Sequence, residues 1–170
     1  MATKWILDPT HSEITFKVKH MMISNVKGSF RTFNAEIESE DEFFANAKTT
    51  ATIQTDSVFT NNTDRDNHLK SAEFFNAEAH PTITFDSQNL NNEVVGNLTI
   101  NGITKPITLD VDFGGINVDP WGNTKAGFSF EGKISRKDFG LNWNAALEAG
   151  GVMVSDDVKI AGELQFVKQA

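Results

Sequence analysis

The chain has 170 residues, a formal net charge of −8, no cysteine, and fourteen phenylalanines but no tyrosine. That length suits one domain over 1–170 with a sizeable core, and the lack of cysteine excludes disulfides and thiolate metal sites. The acidic balance argues against nucleic acid or an anionic membrane surface as a partner, both of which need a basic patch. Apolar runs are only a few residues long, so no segment reads as a membrane-spanning helix. The N-terminus MATKWILD lacks the apolar region of a secretory signal. Phenylalanine carries apolar area with no hydroxyl to satisfy, so its abundance fits either a solid core or a dry pocket.

Trp5 to Leu7 predicts a short strand that Pro9 interrupts. From Ile14 to His20 apolar and polar residues alternate, with Ile14, Phe16 and Val18 sharing one face and His20 ending it. Such a strand can line a cavity with the histidine at its rim. Met21, Met22 and Ile23 continue apolar without alternation, as expected of a strand leaving the barrel or of a loop over its mouth, where flexible methionine either fills a gap in the core or adapts to a ligand. Val26, Gly28 and Phe30 have one parity and Phe33, Ala35 and Ile37 the other, so a bulge falls between Phe30 and Phe33. Ser39 with Glu42 resembles a capping box and predicts a helical turn over Asp41 to Ala45. Alternation resumes over Lys48 to Thr55, with the small Ala47, Thr49 and Ala51 alongside Ile53.

Thr63 followed by Asp66 predicts a helix N-cap and a helix to about Ser71, with Asp66 and Lys70 paired on its surface. Phe74 and Phe75 then plug that helix onto the strands. After Pro81 the strands return: Ile83 and Phe85 share a face, as do Val94, Leu98 and Ile100. Asn101-Gly102 marks a hairpin, because both turn residues tolerate positive φ. Ile103, Ile107, Leu109, Val111 and Phe113 form the apolar side of the next strand, which turns at Pro120 to Asn123. Ala126, Phe128, Phe130, Gly132 and Ile134 alternate with polar residues. An irregular, glycine-rich stretch carries Arg136, Phe139, Leu141 and Trp143, and the last strand faces Val158, Ile160, Leu164 and Phe166 inward. About eight mainly antiparallel strands result, with a short helix between the third and fourth. Periodicity accepts either a closed barrel or a two-sheet sandwich.

Trp5, Asp8, His11-Ser12, Phe16, His20, Gly28 and Phe30 together resemble the opening signature of the YceI-like family, lipocalin-like barrels of bacteria. RDNHLKSAEFF (Arg65 to Phe75), Pro81 to Phe85, GNLTINGITKPITL (Gly96 to Leu109) and SRKDFGL (Ser135 to Leu141) extend the resemblance along nearly the whole chain. It implies an all-β, eight-stranded lipocalin-like β-barrel that binds, stores or transports a polyisoprenoid or isoprenoid quinone, with no cofactor required. Relatives are often dimeric and often exported. The homodimer is therefore an expectation, as is a periplasmic location if a leader has been removed; as it stands the sequence predicts a cytoplasmic protein.

Catalytic readings are weak. His11 and Ser12 are neighbours in an extended segment and face opposite ways, which does not make a nucleophile and base pair, and no G-x-S-x-G elbow is present. His11, His20, His68 and His80 form no close ligand pair; they suit a buried hydrogen bond, a rim, a solvated helix face and a turn. Asp110 and Asp112 lie on the polar side of their strand and are expected in solvent. The candidate ligand-binding residues are Phe16, Val18, His20, Met22, Phe75, Phe85, Phe128, Phe130, Ile134, Arg136, Phe139 and Leu141, with His20 or Arg136 meeting a polar head group. Two rivals are a filled structural or stress-related interaction domain and a lipid- or small-molecule-modifying enzyme using His11 or His20. Phe128→Trp is expected to weaken long-chain binding with little loss of fold if the barrel is hollow.

Overall fold

The computed structural model describes residues 2–21, 23–41, 44, 46–141 and 154–169. Among them, eleven strand segments form one antiparallel sheet: β1 Thr3–Leu7, β2 Glu13–His20, β3 Ser24–Phe30, β4 Phe33–Ser39, β5 Lys48–Gln54, β6 Val58–Phe59, β7 Thr82–Ser87, β8 Glu93–Ile100, β9 Ile103–Val118, β10 Thr124–Ser135 and β11 Val154–Lys168. Helix α1, Thr63–Lys70, lies between β6 and β7.

Six of those segments are three long strands, each broken once. A 3-10 turn over Pro9–His11 separates β1 from β2, yet both pair with β11, Leu7 opposite Phe166 and Phe16 opposite Ile160. β3 and β4 part at Arg31 and Thr32, where the parity switch demands a bulge, and pair with β2 and β1 respectively. β5 and β6 part at a 3-10 turn over Thr55–Ser57. The result is a closed antiparallel barrel of eight bent strands, sealed by the pairing of β1 with β11. Closure in so small a barrel requires local bends, and these breaks supply them. The Asn101-Gly102 turn between β8 and β9 has positive φ at both residues, 55° and 75°, as its composition requires.

The two ends are built differently. At one end Trp5, Ile37, Phe44, Ala126, Phe128 and Phe166 pack into a sealed aromatic cluster. Phe44 makes edge-on contacts with Trp5, Phe113 and Phe128 at 5.2, 5.4 and 5.2 Å. At the other end are the β2–β3 turn, α1 and a 3-10 turn over Arg136–Phe139, above a second cluster that includes Phe30, Ile53, Ile83, Ile100 and Ile134.

Several local expectations change. The N-cap of α1 is Asn62, whose side chain accepts from the Arg65 N–H at 3.0 Å, one residue earlier than Thr63. Asp66 does not pair with Lys70 at the surface. It turns inward and accepts from the Thr60 N–H at 2.8 Å and hydroxyl at 2.5 Å, anchoring a helix that has only Leu69 to bury. Phe113 leans outward at 39% exposure and stacks on Phe128 at 5.0 Å, because the β9–β10 register shifts beside Gly127. The turn expected over Asp41 to Ala45 lies largely outside the described residues.

Candidate functional site

Inward faces of this barrel leave two cavities on one axis. The inner one, about 150 Å³, lies midway between the ends among Phe33, Ala51, Phe85, Leu98, Phe128 and Phe130. The outer one, about 410 Å³, lies beneath α1 and reaches the surface, its rim including the exposed Asp64 and Arg65. Phe16, Phe30, Ile83, Ile100, Ile134 and Ile160 line both and form the neck between them. Polar side chains are scarce in the inner cavity. Thr49 contributes a buried hydroxyl with no hydrogen-bond partner, and Ser87 donates its own to the Asn89 carbonyl at 3.1 Å. An apolar space of this size stays dry unless an apolar molecule fills it.

The lumen remains open because of how three phenylalanines lie. A Cβ built on Gly28 would stand 2.3 Å from Phe16 Cζ, one on Gly96 2.3 Å from Phe85 Cζ, and one on Gly162 2.4 Å from Phe130 Cε1. Each ring therefore lies flat across a glycine of the neighbouring strand and covers the wall. With any larger residue at those positions the rings would be driven into the lumen.

Of the residues singled out from sequence, Phe85, Phe128 and Phe130 line the inner cavity, Val18, His20, Phe75, Arg136 and Leu141 the outer, and Phe16 and Ile134 both. Met22 lies outside the described residues. Phe139 lines neither cavity: at 1% exposure it belongs to the core under the 3-10 turn. Phe128 sits at the bottom of the lumen against Phe44, Phe113 and Phe166, so tryptophan there would overpack the aromatic cluster and could not test hollowness. Sequence reasoning passed over Phe30, Ile83, Ile100 and Ile160 at the neck. Their parity was legible, but which inward residues meet at one height depends on strand register.

The mouth carries the polar groups. His20 and His68 are half-buried on its lining, and His68, expected in solvent, packs edge-on against Phe74 at 5.0 Å and contacts the Glu73 carboxylate. Arg65 donates to the Thr60 hydroxyl at 2.8 Å and carbonyl at 2.6 Å. Arg136 is 4% exposed and donates to the carbonyls of Ser155, Leu141 and Val154 at 2.9, 2.9 and 3.2 Å. Burial pushes its guanidinium below the ordinary value, opposed by the charge of Asp156. Arg136 thus holds the start of β11 to the turn after β10 while lining the cavity.

No serine–histidine pair is assembled. Ser12 donates to the Asp8 carbonyl at 2.7 Å and accepts from the Gln165 N–H at 3.0 Å, while His11, exposed and not buried as expected, bonds the Asp8 carboxylate at 2.9 Å. The Asp8 carboxyl is held far below the usual range, first by the Lys125 ammonium at 2.9 Å, then by Thr10 and His11. Among the described residues no three His, Asp or Glu side chains gather to hold a metal, and no helix is long and apolar enough to cross a membrane.

A closed, meandering antiparallel barrel with an apolar lumen and an α-helix over its mouth defines the lipocalin-like class. Within it the chain belongs to the YceI-like family, whose domain model matches residues 5–166. A UPF0312 protein of Staphylococcus epidermidis is 43% identical over 166 residues, 96% of this chain and 97% of that protein. The YCEI protein of Campylobacter jejuni superposes with a TM-score of 0.75 at 36% identity, covering 89% of this chain and 90% of that one. A polyisoprenoid binding domain from Saccharophagus degradans shares the fold, with a TM-score of 0.72 at 16% identity over 97% of this chain and 98% of that one.

Proposed function

We propose that the barrel binds a long, unbranched or isoprenoid-type apolar lipid end-on, without catalysing a reaction, and stores or carries it. The observation that carries this reading is the pair of apolar cavities joined through a six-residue neck and open at one end. A chain threaded through the neck would bury its methylenes at roughly 0.8 kcal/mol each, enough to outweigh the ordering cost after several units. A polar head would remain at the mouth beside His20, Arg65 and His68. The binding named for the Saccharophagus degradans domain supports a polyisoprenoid or an isoprenoid quinone as the ligand class. Further support against turnover is that Ser12 and His11 are each engaged with Asp8 and not with one another.

The test is native mass spectrometry of freshly purified protein, then organic extraction and uptake of polyprenols of increasing length. We expect a bound species with isoprene mass spacing. Ile160→Trp, which blocks the neck, should leave short prenols bound in the outer cavity and weaken long ones by at least tenfold, since losing the burial of even two methylenes costs about that much. Empty protein that takes up no prenol or quinone would overturn the proposal.

A further inference from the structure

Strand register assembles a charge pattern that the linear sequence does not show. Lys133 of β10 stands opposite Lys159 of β11, Lys159 opposite Lys17 of β2, and Lys17 opposite Lys27 of β3. Four lysines therefore run side by side across four neighbouring strands, on the outer wall just below the mouth, where strands are about 4.8 Å apart. Like charges directly opposite one another destabilise a sheet, so folding gains nothing from this row. Of the four, only Lys133 has a carboxylate within ion-pair distance among the described residues, the exposed Asp157 at 3.7 Å. Toward the sealed end the sign reverses: Glu93 faces Asp110, Asp110 faces Glu131, and Glu13 faces Glu163. This acidic band borders the row, Glu131 two residues from Lys133 and Glu13 four from Lys17, while Lys4, Lys48 and Lys168 lie beyond it at the sealed end.

The strands that carry Lys17 and Lys27 end in an apolar turn at the mouth, where Met21 is 41% and Ile23 81% exposed. Lys17 and Met21 are four residues apart, roughly 13 Å along a strand. An apolar tip enters the headgroup and acyl boundary by roughly 5–10 Å, which leaves the lysine row within about one Debye length of the lipid phosphates. The β9–β10 turn at the sealed end also exposes apolar residues, Val118 at 60% and Trp121 at 82%, but the lysine beside it, Lys125, is held by Asp8 and Asp119 at 2.9 and 3.8 Å.

We propose that the protein docks on anionic lipid bilayers mouth first, the Met21 and Ile23 turn entering the interface and Lys17, Lys27, Lys133 and Lys159 lying against lipid phosphates. The apolar turn and the lysine row belong to the same end of the same strands, so the two together set the orientation as well as the attachment. Docking in this pose brings the outer cavity to the bilayer from which an apolar chain would be drawn; it rests on the carrier reading for its use, though not for its occurrence.

The test is co-sedimentation of the full chain, stripped of lipid, with phosphatidylcholine vesicles with and without phosphatidylglycerol. Binding is expected only to the anionic vesicles and is released by salt. Lys17→Gln/Lys27→Gln/Lys159→Gln should lower partitioning by on the order of a hundredfold, at about fivefold per lysine, whereas Lys4→Gln/Lys48→Gln/Lys168→Gln at the sealed end should not. Because the chain has no cysteine, Ile23→Cys and Trp121→Cys each take one environment-sensitive fluorophore, and only the label at position 23 should shift to the blue on vesicle addition. Equal binding to neutral vesicles, a triple variant that binds unchanged, or a shift at position 121 alone would overturn the proposal. So would a row that binds a single-stranded oligonucleotide while the protein ignores vesicles. Prenol uptake is scored separately: its failure with vesicle binding intact overturns the carrier reading alone, and the converse overturns docking alone.

Discussion

The sealed end and the mouth are made by the same eight strands and yet differ in nearly every physical property. At the sealed end Phe44 drops into the lumen and aromatic rings meet edge-on from Trp5, Phe113 and Phe128, with no space left between them. At the mouth the corresponding cover is α1, a helix with one leucine, held by a buried Asp66–Thr60 contact and leaning on Phe74 and Phe75 over a cavity of about 410 Å³. One end is closed by packing and the other by a polar hinge. The difference implies that cohesion resides at the bottom of the barrel, while access resides at the top.

The largest effect should come from breaking the sealed end. Phe44→Ala removes a ring that is 1% exposed, and urea unfolding should show a loss of about 3–5 kcal/mol. Phe75→Ala at the mouth, a half-buried ring beside an existing cavity, should cost roughly 1–2 kcal/mol by the same measurement. Equal losses would erase the distinction between the ends.

Next is the tether between Asp8, at the break between β1 and β2, and Lys125 of β10. Asp8 titrates lower in the folded chain than in the unfolded one, so its contribution is complete above the unfolded value near pH 4 and fades as pH falls through the folded value. Asp119, lowered mainly by the Asn123 N–H, and Asp156, lowered mainly by the Ser135 hydroxyl, add to the same trend. Asp8→Asn should lower stability at pH 7 by about 2 kcal/mol and flatten the decline below pH 4. A variant whose acid unfolding curve retains the full slope would show that the tether contributes nothing.

A smaller effect sharpens the contrast within the lumen. Gly28→Ala forces Phe16 off the wall and into the neck, and long-chain prenol affinity should fall about tenfold, with roughly 1–3 kcal/mol of stability lost. The smallest is a gain. Thr49→Val removes the unpartnered hydroxyl from the inner cavity and should raise stability by about 1 kcal/mol in thermal unfolding. A loss instead would mean that the hydroxyl has a partner in the working protein.

Sequence alone determined the strands and their inward faces, because alternation, turn chemistry and parity are local properties, and the motifs it shares with the YceI-like family pointed to that family. The Asn101-Gly102 hairpin, the bulge between Phe30 and Phe33, and the helix before β7 were all legible at their positions. The candidate lining was legible too, except Phe139, which ends the 3-10 turn and packs in the core cluster at 1% exposure. Tertiary structure decided everything that depends on which residues of different strands share a height. It laid Phe16, Phe85 and Phe130 over glycines of adjacent strands and so made the barrel hollow, where fourteen phenylalanines by themselves fit a solid core equally well. It also drew into one row four lysines that lie as much as 142 residues apart in the chain, Lys17 to Lys159, inside a protein whose net charge pointed away from any basic surface. Register is a long-range quantity, fixed only when the sheet closes.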